Sequence, residues 1–212
     1  MAGVAQLRGR FITLEGVDGA GKSTHIPWIA EQLRQGGSKE GREVIVTREP
    51  GGTPLAEKLR ALVLAEPMDP LSETLLMFAA RADHVRHVIE PALKRGAWVV
   101  CDRFTDATAA YQGGGKGVPA ELIRSLAKAA HPGLVPDQTL VFDCSYEISR
   151  GRLGAAGRVL DRFEAEEQGF FERVRKAYQD LAKAEPGRVR MIDGSQAEVK
   201  VKDEVKKALI DN

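Results

Sequence analysis

With 212 residues, 43% of them hydrophobic, the chain is long enough to bury a single core, and one domain is the simplest reading. Lysine and arginine number 31 against 30 acidic residues, so a net charge of +1 gives no electrostatic case for nucleic acid or an acidic membrane surface, and a small substrate is expected. No apolar stretch approaches the roughly twenty residues that span a bilayer, and Cys101 and Cys144 lack both C-x-x-C spacing and a preceding signal peptide, so a reduced cytoplasmic setting is expected.

Residues 11–15 form a short β-branched and apolar run that predicts a buried strand. Directly after it, Gly16-Val17-Asp18-Gly19-Ala20-Gly21-Lys22-Ser23-Thr24 matches G-x-x-x-x-G-K-[ST], whose backbone N–H groups cradle the phosphates of a nucleoside triphosphate. In that pattern Lys22 reaches the β- and γ-phosphates and the Ser23 hydroxyl binds Mg²⁺. Ile26, Ile29, Ala30 and Leu33 then recur at helical spacing, which supplies the strand, loop and helix setting the motif requires. ATP and Mg²⁺ are the expected cofactors.

Residues 35–42 read as a solvated loop, followed by a second strand at 44–47. Residues 70–95 predict a long helix, and strands follow at 98–101, 139–142 and 189–192. A further helix is expected over 164–184, where Phe171, Val174, Tyr178 and Leu181 form a core-facing stripe. The alternation predicts a five-stranded parallel sheet with helices on both faces and ligands at the carboxyl ends of the strands. Asp102, Asp143 and Asp193 fall at that edge, and Asp102, with an arginine next to it, is the candidate to steer the metal or its waters. His84 and His87 could share a metal by spacing, but no third ligand is evident.

Arginine and glycine gather at the same edge, in Thr47-Arg-Glu-Pro-Gly-Gly-Thr53, Phe78-Ala-Ala-Arg81, Asp102-Arg-Phe104 and Ala110-Tyr-Gln-Gly-Gly-Gly115. Together with the phosphate loop, these segments resemble the thymidylate kinase family, in the same order, from about Phe11 to at least Tyr178. The resemblance implies a P-loop nucleoside monophosphate kinase fold, transfer of the γ-phosphoryl group of ATP to dTMP, and a homodimer. It also implies that Arg48, Arg60 and Arg103 reach the acceptor phosphate, that Asp18 lies near the 3′-hydroxyl and metal, and that Arg81 donates to thymine O4. Either Met77 or Phe78 would form the base platform, with Phe78 preferred because an aromatic face stacks better. Thr108 and Gln112 resemble polar contacts to the pyrimidine, Tyr111 the ring beside the sugar, and Glu49 a weaker site candidate that would otherwise hold an arginine in place.

The Gly- and Arg-rich stretch from Gly151 to Arg158, followed by Asp161-Arg-Phe-Glu164, resembles the family's lid, expected at about 150–163. One branch of the family carries an arginine inside the phosphate loop; here that position is Gly19, which implies the bacterial-type branch with a lid arginine, Arg158 first and Arg152 second. Gly113 to Gly115 is read as a flexible loop near the acceptor. A guanine-specific GTPase is excluded because its N-K-x-D motif needs an asparagine, and the only one is Asn212. Another nucleoside monophosphate kinase is the nearest alternative.

Overall fold

A computed structural model describes residues 8–36, 41–155, 157 and 161–210. Five strands, β1 (Phe11–Gly16), β2 (Val44–Arg48), β3 (Trp98–Asp102), β4 (Gln138–Asp143) and β5 (Val189–Asp193), form one wholly parallel sheet in the order β2-β3-β1-β4-β5. Each expected strand is present and slightly longer than its apolar run, because the ladder continues through the polar residues at the strand ends.

Every residue of β1 is buried, as a central parallel strand requires. Its side chains alternate: Ile12 and Leu14 pack in the core with Ile29 and Leu33 of α1 (Lys22–Gln35) and Val205 of α9 (Glu198–Ile210), whereas Phe11 joins Val85, Ile89 and Phe104. Burying each such side chain is worth about 1.5–3 kcal/mol. Register brings Arg48 beside Asp102, Asp102 beside Leu14 and Asp143 beside Asp193, so the strand ends form one ligand edge.

Between β2 and β3 lie α2 (Pro54–Ala65) and α3 (Pro70–His84), each with proline in its first turn and a side-chain cap from Thr53 or Asp69. The long helix expected over 70–95 is continuous but not uniform: a π-helical turn, Val85–Ile89, joins α3 to α4 (Glu90–Lys94). Pro91 has no N–H to return to an upstream carbonyl, and the wider turn precedes it.

After β3 come α5 (Thr105–Thr108), a second π-helical segment, Ala109–Gly115, and α6 (Ala120–Ala130). The expected flexible glycine loop is therefore helical and packed. A Cβ on Gly115 would lie 2.4 Å from the Phe170 ring of α8 (Gln168–Ala184), so glycine lets the two segments touch.

Between β4 and α8, α7 (Tyr146–Ala155) takes up the first part of the expected lid. The helix expected from residue 164 begins at Gln168 instead, because Asp161 Oδ1 accepts from the N–H groups of Phe163 and Glu164 and closes a separate turn there. The predicted solvated loop falls partly on residues 37–40, outside the described residues.

One side chain in the central strand is not apolar. Glu15 has no solvent exposure; Oε1 accepts from the Phe104 N–H at 2.7 Å and Oε2 from the Tyr178 hydroxyl at 2.8 Å. Burial, aided by the nearby Asp106 and opposed by Arg103, pushes its carboxyl up to about 8. The folded state therefore holds a proton that the unfolded chain releases near pH 4.5, and stability present below that value is lost as pH rises toward 8. Glutamine can accept from Phe104 and donate to Tyr178 without ionising. Between pH 5 and 8, wild type should lose stability relative to Glu15→Gln by roughly 1.4 kcal/mol per pH unit, read by urea denaturation; a difference independent of pH would refute the burial of a titrating carboxyl.

Candidate active site

A cavity of about 570 Å³ opens at the carboxyl edge of the sheet, lined by the phosphate loop, the strand ends and parts of α2, α3 and α7. Its charged lining includes Lys22, Arg48, Arg60, Arg103 and Arg152, with Asp18 and Asp102 among them. Two anionic groups could meet there without being held apart by their own repulsion.

The loop leads from β1 directly into α1, whose N-cap, Gly21, has a φ of 102° and no side chain to occupy the first N–H groups. Those donors and the positive end of the helix dipole are the elements of an anion site. Lys22 is buried, and its Nζ donates to the carbonyls of Gly16 and Val17, both at 3.0 Å. Burial and neighbouring Arg103 pull its ammonium down, against Asp18, Asp102 and Glu15. Ser23 and Thr24 are exposed, and both line the cavity. Asp102 Oδ1 is buried and has no hydrogen-bond partner. An unpaired carboxylate oxygen in a cavity shared with Ser23 fits the hard oxygen donors that Mg²⁺ requires.

Arg103 is the one described non-glycine residue with positive φ, at 69°. Its guanidinium donates to Gly16 O at 3.1 Å, Asp18 Oδ1 at 2.5 Å and the Tyr111 hydroxyl at 3.1 Å, and the Tyr111 hydroxyl donates to Asp18 Oδ2 at 2.8 Å. Burial pushes the Asp18 carboxyl up, but Arg103, Lys22 and the Tyr111 hydrogen bond outweigh it and hold it below the usual range. Burial also raises the Tyr111 phenol well above its ordinary value, leaving it a donor.

Arg48 is half exposed and donates to both Glu57 carboxylate oxygens at 3.0 Å, while Arg60 Nη1 donates to Pro50 O at 3.0 Å. Burial and then Arg48 lower the Arg60 guanidinium, so the two cations crowd one side of the cavity. A phosphate would relieve that repulsion.

At the far end, Arg81 of α3 is buried, with Nε donating to Glu49 at 2.6 Å and Nη2 to Phe104 O at 3.0 Å and Thr108 Oγ1 at 3.1 Å. Its Nη1 is buried without a partner. Glu49 also meets His84 Nδ1 at 2.9 Å, and His84 Nε2 meets Thr47 Oγ1 at 2.7 Å. His84 is thus committed to Glu49, whereas His87 bonds the Asp83 carbonyl.

Phe78 does not line this cavity. Its ring packs with Val118 and Ile123, stacked on His131 at 6.4 Å and under the Arg81 guanidinium at 4.7 Å, while Met77 and Phe104 line the cavity in its place. Residues 78 and 81 are three apart, so the ring that neighbours Arg81 turns into α6 and residue 77 is left at the wall. Gln112 lines the cavity and is almost fully buried; its Nε2 donates to Glu73 Oε1 at 2.8 Å.

From the lid region, Arg152 Nη1 donates to Gly19 O at 3.1 Å. Arg158 lies outside the described residues. Gly19 has a φ of 74°, and a Cβ on it would stand 2.8 Å from Ser149 O and 3.0 Å from Ser149 Cα, so backbone of α7 fills the space of any side chain there.

Sequence reasoning missed Glu15, Glu57 and Glu73, whose carboxylates back the site. Glu73 had a readable signal, since 73, 77 and 81 share one helix face. Glu15 was visible as an acid inside an apolar run.

The family sequence profile described as thymidylate kinase matches residues 14–205. The thymidylate kinase of Bordetella pertussis is 59% identical over 189 residues, 89% of this chain and 88% of that protein. That of Methylobacillus flagellatus is 57% identical over 199 residues, 94% of this chain and 96% of its own length. The crystal structure of thymidylate kinase from Ehrlichia chaffeensis superposes with a TM-score of 0.76 at 35% identity, covering 95% of this chain and 99% of the other. These matches establish that the chain, with its phosphate loop, parallel sheet and cavity, belongs to the thymidylate kinase family.

Proposed function

We propose that this chain transfers the γ-phosphoryl group of ATP to dTMP, giving dTDP and ADP for dTTP synthesis, as a single kinase domain over 1–212 with a lid at about 150–163. The observation that carries the reading is one cavity joining a phosphate loop to three acceptor-side arginines and to a buried arginine with an unpartnered Nη1. Lys22 and the loop N–H groups hold the donor phosphates, Arg48, Arg60 and Arg103 the acceptor phosphate, and Asp18 the 3′-hydroxyl side of the sugar. Ser23 and Asp102 would hold Mg²⁺, which when bound supplies charge neutralisation between the two phosphate groups. Arg81 supplies a donor for thymine O4, Thr108 and Glu49 fix that arginine, Gln112 meets the base edge, and Tyr111 stands beside the sugar.

Exposed Leu55 and Leu62 of α2 with Leu71 and Leu75 of α3 support a homodimer packed through these helices. No helix among the described residues is long and apolar enough to cross a membrane; we infer a cytoplasmic enzyme with no membrane or nucleic-acid partner.

A panel of nucleoside monophosphates with ADP release measured tests the reading directly, and dTMP should be the preferred acceptor. Lys22→Ala should lower kcat about a hundredfold or more, because the lysine balances charge that develops in transfer. Near-normal turnover in the folded variant would remove the donor site from this loop.

Loss of a hydrogen-bonding group from a site built around it is penalised far more than loss of a methyl contact. Arg81→Ala should therefore raise the KM for dTMP while leaving that for ATP nearly unchanged. The opposite pattern would assign Arg81 to the donor side.

We also propose that a lid arginine stabilises the phosphoryl group in flight, with Arg158 and Arg152 as the two candidates. Arg152 is supported by its contact with the phosphate loop. In single-turnover experiments the residue responsible should slow the chemical step by on the order of a thousandfold when changed to alanine. Equal small effects for both would make the lid a cover only.

A further inference from the structure

Glu73 has no solvent exposure, yet it lies one helical turn before Met77 and two before Arg81 on the face of α3 that serves the cavity. Its two oxygens do different work. Oε2 accepts from Lys116 Nζ at 2.9 Å and from Arg162 Nη2, so two cations compensate the carboxylate; Oε1 is left to Gln112 Nε2 at 2.8 Å. Arg162 also donates through Nε to the Val63 carbonyl, and both cations lie over the ring of Phe163, at 4.5 and 4.8 Å, so the partners of Oε2 are themselves held.

We propose that Glu73 is a specificity-determining positioning residue: an acceptor-only carboxylate that fixes which end of the Gln112 amide is presented to the pyrimidine. An ionised carboxylate has no proton to donate. Gln112 must therefore turn its NH₂ toward Glu73, and a flip of the amide would bring carbonyl against carboxylate. The group left for the cavity is the carbonyl Oε1, an acceptor. This deepens the dTMP reading proposed above and rests on it.

Thymine presents O4 as an acceptor and N3–H as a donor, whereas cytosine presents N4–H₂ as a donor and N3 as an acceptor. An acceptor at Gln112 suits the thymine N3–H and opposes the cytosine N3 lone pair; the free Nη1 of Arg81 suits O4 and opposes N4–H₂. Glu73 thereby governs one of two contacts that separate dTMP from dCMP, without touching either nucleotide. Glutamine at position 73 could meet Gln112 with either its carbonyl or its NH₂, so the amide of Gln112 would be free to face the base with either end.

The test is the ratio of kcat/KM for dTMP to that for dCMP. Glu73→Gln should lower this ratio by on the order of tenfold to a hundredfold, with the KM for ATP little changed. Glu73→Asp keeps an acceptor-only group and should retain the ratio even where its overall activity falls. Because Glu73→Gln leaves Lys116 and Arg162 uncompensated, the double variant Glu73→Gln/Lys116→Met, which restores the net charge of the cluster, should show the same fall. A merely structural role would depress both substrates together in all three variants; an unchanged ratio in the folded double variant overturns the proposal.

In the unmutated, nucleotide-free protein, the Gln112 side-chain amide protons, identified by their loss in Gln112→Met, should exchange slowly in NMR spectra. Fast exchange would overturn the proposal even if neither Glu73 variant folds. Failure of the unmutated protein to phosphorylate dTMP would instead refute the underlying reading, and the amide measurement does not depend on that activity.

Discussion

The Arg103 guanidinium ties the end of β3 back to the phosphate loop, and the geometry of the ligand edge depends on that tie. Arg103 donates its own N–H to Leu14 O at 2.9 Å, which completes the ladder with β1, and then turns through the left-handed region. A non-glycine residue there is disfavoured by roughly 1–2 kcal/mol. Charge-assisted bonds to Asp18 and Gly16 offset this, and the same turn delivers the Phe104 N–H to buried Glu15. The direction in which the chain leaves β3 is thereby set, and with it the course of α5 and the π-helical segment that carries Tyr111 and Gln112. Strain at one residue positions both the sugar side and the base side of the cavity.

Behind the cationic lining stand buried acidic side chains, each committed to a different partner. Glu15 receives the Phe104 N–H and the Tyr178 hydroxyl, Glu49 receives Arg81 and His84, and Glu73 receives Gln112 with two cations. The ion pairs of Glu49 and Glu73 contribute little net stability, because desolvation offsets most of the Coulomb gain. What they supply is orientation. A guanidinium held at Nε and Nη2 leaves only Nη1 to offer, and in Arg81 that atom is the one without a partner. Site side chains are fixed from behind, so a ligand entering the cavity would not meet freely rotating arms.

The strands and the phosphate loop were legible because their signals are local: apolar runs with β-branched residues, and glycines at fixed offsets from Lys22. Arg103 and Asp18 were readable as strand-end and loop charges, but their pairing needed the third dimension. Phe78 went the other way. Aromatic character favoured it over Met77, yet helix geometry turns its ring into α6 beside Val118 and Ile123, and no composition argument could choose between adjacent positions on one helix. The glycines at 113–115 looked like loop punctuation because turn propensity ignores what packs nearby; they lie in a π-helical segment packed against Ile123, Ala177 and Phe170, one at each glycine in turn. The start of α8 was misjudged for a related reason, since Asp161 closes a local turn that interrupts the helical pattern.

Steric exclusion at Gly19 bears on where catalytic charge can enter. The α7 backbone runs against the loop at that point, and the Ser149 hydroxyl donates to Asp18 O at 2.7 Å, so helix and loop are joined rather than merely adjacent. A long cationic side chain at position 19 would have to displace α7, whereas one carried by α7 approaches the same loop from outside with no backbone in its way. Arg152 does so, bonding the very carbonyl of Gly19. The absent side chain and the arginine on α7 are then two aspects of one packing choice: close approach of the helix leaves no room for a side chain at position 19 and brings Arg152 to the Gly19 carbonyl. On the proposed reading, a lid arginine in this chain goes with the helix–loop contact, and a substitution at position 19 alone would not place a cation in the loop while α7 stays where it is.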